Sequence, residues 1–176
     1  MDVKLQRKGL DIEIKAKCEN HDRIIEIITD KGAKLIGNFD MEDKYFNVQK
    51  GRLKFREGDI EDILIQYDRE EKNVKRSDFL VEIMPKENHI SKILEKTLGV
   101  KVIVKKNRGI YILNNIRFHI DTVDGLGKFI EIEVRGEAEE ELPKLREQLK
   151  EFLDLFEIPE EDFIKGSYSD LLIENI

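Results

Sequence analysis

At 176 residues the chain has the size of one domain, 1–176, and is long enough to bury a genuine core. The single cysteine, Cys18, excludes an internal disulfide framework, and no apolar run suffices for a signal peptide or membrane helix, so a reducing cytoplasm is the expected setting. Charged residues make up 39% of the chain at a net charge of −7, which argues against nucleic-acid binding by bulk electrostatics; any anionic ligand needs a local cationic pocket or a bridging metal.

The first alternating run, "LDIEIKAKC" at 10–18, sends Asp11, Glu13, Lys15 and Lys17 to one side of a strand and Ile12, Ile14, Ala16 and Cys18 to the other. A helix follows over about 22–31, with Asn20 as N-cap, isoleucines at 24, 25, 27 and 28, and Gly32 at its end. Strands are read at 44–48 ("KYFNV"), 52–57 ("RLKFRE"), 62–69 ("DILIQYDR") and 76–83 ("RSDFLVEI"). A second helix begins near Asn88, carries Ile90, Ile93, Leu94 and Leu98 at helical spacing, and stops at Gly99. Further strands are read at 100–106 and 109–113, and twice within "RFHIDTVDGLGKFIEIEVR" at 117–135. The longest helix is read over 138–156, with Leu142, Leu145, Leu149, Phe152, Leu153 and Phe156 on one face and Pro143 in its first turn; a shorter piece follows Pro159. These eight or nine strands, mostly in hairpins, with no repeat or linker, describe one antiparallel α+β domain.

The polar faces of the strands are almost wholly ionisable. Arg52, Lys54 and Arg56 oppose Leu53 and Phe55; Arg76, Asp78 and Glu82 oppose Phe79, Val81 and Ile83. Arg117, His119 and Asp121 share one face, and Glu131, Glu133 and Arg135 oppose Ile132 and Val134. One such strand is simply half in water. So many of them, with helices to cover the apolar side, point to a sheet curled into a barrel with its charged face inward. A desolvated ion costs several kcal/mol unless it is paired or hydrated, so this lumen needs an occupant of both signs. A triphosphate with its metal is one: Lys and Arg take phosphate oxygens, and carboxylates hold Mg²⁺ or Mn²⁺.

The residues resemble the CYTH superfamily, the triphosphate tunnel metalloenzymes that include class IV adenylyl cyclases, thiamine triphosphatases and inorganic tripolyphosphatases. "DIEIK" at 11–15 is similar to the family's opening Glu-x-Glu-x-Lys, with Asp11 replacing the first Glu. "DKYF" at 43–46, "LKFRE" at 53–57, "RSDF" at 76–79, "KKNR" at 105–108, "HIDTVDGLGKFIEIE" at 119–133 and "SYSDLL" at 167–172 follow in order. The resemblance implies an antiparallel, eight-stranded closed β-barrel, the triphosphate tunnel, flanked by helices. It implies metal ligands at Glu13, Glu131 and Glu133, with Asp11 and Asp121 beside them, and a phosphate clamp of Lys15, Lys54, Arg56, Arg76, Lys106 and Arg108. Glu13, Lys15, Glu131 and Glu133 are the expected catalytic set. Arg117 and His119, on the face of Asp121, are placed to meet phosphate, base or leaving group, and Tyr168 either closes the tunnel or packs. His21 and His89, near helix starts, are bystanders.

Where many relatives carry Thr-x-Lys on the fourth strand, this chain has Gln66, Tyr67 and Asp68 followed by Arg69, so another cation supplies that charge or the phosphate contacts differ. The implied activities are cyclisation of ATP to cyclic AMP and pyrophosphate, or hydrolysis of a triphosphate, with a non-catalytic nucleotide or polyphosphate sensor as a third reading. The expected partner is a small triphosphate (ATP, thiamine triphosphate or tripolyphosphate), with no nucleic acid and no membrane; a homodimer is left open.

Overall fold

The computed structural model describes residues 10–59, 62–67 and 79–174. The alternating runs assemble into a single antiparallel sheet of eight strands: β1 (Leu10–Lys17), β2 (Lys34–Phe46), β3 (Arg52–Gly58), β4 (Asp62–Tyr67), β5 (Phe79–Met84), β6 (Val100–Leu113), β7 (Ile116–Val123) and β8 (Gly127–Gly136). Their spatial order is β1-β8-β7-β6-β2-β3-β4-β5. Among the described residues no ladder joins the edges β1 and β5, so the expected α+β sheet is present but is not closed by hydrogen bonds.

Helix α1 (His21–Asp30) starts where Asn20 Oδ1 accepts the Arg23 amide at 3.1 Å, as the N-cap reading requires. Its Ile24 and Ile28 join α3 (Leu142–Phe156) against the convex face of β1, β8 and β7, where Ile12, Ile130, Ile132 and Phe118 are buried. Phe118 meets Phe152 edge-on at 4.8 Å. Helix α2 (Ile90–Leu98) lies outside β2, where Lys44 reaches Ser91 and Glu95; Gly99, at φ +72°, lets the chain turn straight into β6. Near the C-terminus, the Ile164 amide donates to the Lys15 carbonyl at 2.8 Å and Phe163 bridges Ala16, capping part of the β1 edge. The chain then enters the concave side as α4 (Tyr168–Glu174), which packs on β6 and forms a second core with Tyr45, Val102, Val104, Val123 and Phe129. No helix among the described residues is long and apolar enough to cross a membrane.

Four details depart from the sequence reading. The stretch 34–43, not read as strand, is the first part of β2, which pairs with both β6 and β3. The separate runs at 100–106 and 109–113 are one strand, β6. Helix α3 begins at Leu142, after a 3₁₀ turn at Glu139–Glu141. On β5 the faces are reversed: Arg56 stands opposite Ile63 and Ile63 opposite Ile83, so Ile63, Ile65, Val81 and Ile83 share the clamp's face and Glu82 points away. Alternation says which residues share a face; only register says which face it is.

Candidate functional site

The concave face is a charged trough whose cationic wall is built by β2, β3 and β6. Adjacent strands set Asp43 opposite both Arg56 and Val104, and Tyr45 opposite Lys54. Asp43 is 1% exposed. Its oxygens accept from Lys54 at 3.0 Å, from Arg56 Nε and Nη2 at 2.6 and 2.9 Å, and from Lys106 at 3.3 Å. Burial alone would raise the Asp43 pKa, but Lys54, Lys106 and Arg56 outweigh it and hold the carboxyl well below its usual range. Burial, with Arg108 beside it, pushes Lys106 well below the lysine range; burial also lowers Lys54, against the pull of Asp43.

The opposite half, on β1, β7 and β8, is balanced. Lys15 contacts Glu131 at 2.7 Å, and Arg108 forks onto Asp121 at 2.7 and 2.6 Å and reaches Glu131 at 3.5 Å. Burial, then Arg108, brings the His119 pKa down to about 4, so the ring is neutral near pH 7 and its Nδ1 donates to Glu131 at 2.8 Å. One strand position along, Glu133 stands opposite both Glu13 and Arg117 and pairs with Arg135 at 2.5 Å. Tyr168 lines the trough from α4: its hydroxyl donates to Asp121 at 2.7 Å, and its ring lies 4.6 Å from Lys15 Nζ and 5.5 Å from Lys106 Nζ. Arg52 anchors the same segment through Asp170 at 2.9 Å and Ser167 at 2.9 Å.

Between the two halves lies a cavity of about 230 Å³ that brings together Glu13, Lys15, Asp43, Lys54, Arg56, Lys106, Arg108, Glu131 and Tyr168. The whole stretch 10–168 matches the family model described as the CYTH domain. The chain belongs to the CYTH family. A Methanocaldococcus jannaschii protein named as a putative adenylate cyclase is 26% identical over 92% of this chain and 98% of its own length. Among solved structures, that of a Pyrococcus horikoshii protein aligns at TM-score 0.77 with 26% identity, covering 92% of this chain and 99% of that one. A Hippeastrum putative adenylyl cyclase, whose structure is named for a dominant triphosphatase activity, shares the fold at TM-score 0.65 and 12% identity over 95% of each chain.

In this CYTH trough the clamp residues expected from sequence, Lys15, Lys54, Arg56, Lys106 and Arg108, converge on one cavity. Arg76, Asp68 and Arg69 lie outside the described residues, as does the side chain of Asp11. On the fourth strand Tyr67 shares a hydrogen bond with Tyr45 and lines the cavity. The carboxylates of Glu13, Glu131 and Glu133 are oxygen donors of the kind Mg²⁺ and Mn²⁺ accept. Both oxygens of Asp121 are already committed to Arg108 and Tyr168, and among the described residues no three candidate ligands gather into a cluster. His21 holds α1 to β8 through the Phe129 carbonyl at 3.1 Å. The sequence reading passed over Asp43, although "DKYF" contains it, because the strand was begun at Lys44.

Proposed function

We propose that this CYTH protein is a metal-dependent enzyme acting on a triphosphate held in the trough, most closely a class IV adenylyl cyclase that converts ATP to cyclic AMP and pyrophosphate. The observation that carries the reading is the surplus of positive charge around Asp43, facing a cavity whose far side carries carboxylates. A polyanion entering there meets Lys54, Arg56 and Lys106 on one flank and Lys15 and Arg108 on the other. Such preorganised cations supply most of the help that phosphoryl and nucleotidyl transfer requires. Glu13, Glu131 and Glu133 are the residues that would hold Mg²⁺ or Mn²⁺, drawn together by an ion that would neutralise charge on the phosphate oxygens. Cyclisation joins the ribose 3′ oxygen to the α-phosphorus as the bond to pyrophosphate breaks, and the hydroxyl proton passes to water. The M. jannaschii relative's name and the apolar β4–β5 side of the trough, Ile63, Ile65, Val81 and Ile83, which suits the organic part of a nucleotide, favour this reaction.

The test is to incubate purified protein with Mg²⁺ or Mn²⁺ and ATP, thiamine triphosphate or tripolyphosphate, and to identify products. Cyclic AMP with pyrophosphate is the expected result. Orthophosphate would assign hydrolysis instead, and binding without turnover would make the protein a sensor.

A further inference from the structure

Three cations from two other strands share Asp43: Lys54 and Arg56 from β3, and Lys106 from β6. Among the described residues, β2, β3 and β6 place no second carboxylate on the face of Lys54 and Arg56. Tyr45 and Tyr67 face the same group as neutral phenols, the latter pushed up to about 12 by burial, and the Tyr168 phenol is likewise raised. Glu131 lines the same cavity but serves Lys15, His119 and Arg108.

We propose that Asp43 is a positioning residue for phosphate recognition: a built-in counter-anion that holds three cations at phosphate-binding spacing and keeps the two lysines charged. The role rests on the triphosphate reading of the trough and adds to it a residue that reading does not use. The two-pronged contact of Arg56 with Asp43 is the geometry guanidinium also adopts with phosphate, so the cavity is pre-shaped by an internal carboxylate that resembles the ligand. Without it, Lys54, Arg56, Lys106 and Arg108 would face one another in a sheltered site, and the lysines, which alone of the four can release a proton, would do so at lower pH. Asp43 is the charge that opposes this in both lysines. Phosphate entry is then an exchange, in which phosphate oxygens take over donors that Asp43 had kept aligned.

Calorimetric titration with inorganic tripolyphosphate, in chelator and from neutral to alkaline pH, tests the role on the wild type, Asp43→Asn and Phe55→Leu. The last disturbs packing behind β3, between Lys54 and Arg56, without touching charge. The wild type is expected to lose affinity as the lysines deprotonate. In Asp43→Asn that alkaline limb moves to lower pH by about one unit or more, whereas in Phe55→Leu it stays in place. An unmoved limb in Asp43→Asn, or the same movement in Phe55→Leu, overturns the assignment. If Asp43→Asn does not fold, wild-type titrations at neutral pH in two buffers of different ionisation enthalpy decide: binding without net proton uptake supports the role, because the lysines already carry their protons, and net uptake overturns it. A wild type that binds no tripolyphosphate at any pH overturns the triphosphate reading and this inference together, while normal binding with an unmoved limb removes only the role of Asp43.

Discussion

The two halves of the trough handle buried charge in opposite ways. Around Asp43, three cations share one carboxylate; across the cavity, Lys15 and Arg108 meet Glu131 and Asp121, and His119 stays neutral. A balanced cluster is self-sufficient and needs no ligand to cancel its desolvation cost. An unbalanced one does need a ligand, and its excess sign names it. Under the proposed function the difference separates binding from chemistry: the half with surplus positive charge would capture the anion, and the half rich in carboxylates would act on it.

The largest effect that would sharpen this contrast is expected from Glu133→Gln. It should reduce turnover by about a thousandfold while leaving tripolyphosphate affinity near wild type, read by product assay and calorimetry on the same preparation. Unchanged activity would remove Glu133 from the reacting end. Arg56→Ala should do the converse, weakening tripolyphosphate binding by about a hundredfold. If the two variants gave the same profile, the division of labour would be wrong.

Acid stability offers a third handle. The Asp43 pKa lies well below its ordinary 3.8, so the stability it contributes is complete above that value and is lost as pH falls toward the folded-state pKa. Denaturant unfolding followed through this window should show a steep loss for the wild type and a flatter one for Asp43→Asn. Smallest is Tyr168→Phe, which keeps the ring beneath Lys15 and removes only the donor to Asp121; a cost of about 1 kcal/mol in urea unfolding is expected, with turnover altered only modestly.

Much of the site could be read from alternation, because a strand with ionisable residues at every second position allows few arrangements once helices claim its other face. Lys15, Lys54 and Arg56, which alternation sets on the charged faces, line one cavity together with Lys106 and Arg108, to which only the family resemblance pointed. Residues 34–43 were illegible as strand because Gly37, Asn38 and Asp40 disfavour it locally; neighbours on both sides impose it. With that strand unseen, Asp43 had no face and therefore no role. The reversal of β5 has the same origin, since "FLVEI" alternates equally well in either orientation and only pairing with Ile63 and Ile65 settles it.

The short bridge from Phe163 and Ile164 onto Ala16 and Lys15 has a consequence for self-association. A bare outer strand offers its amides to any passing chain and can seed intermolecular ribbons. By spending part of that edge on its own tail, the protein guards the strand that carries Glu13 and Lys15 from capture by a second molecule, so substitutions that loosen 163–164 would show first as aggregation.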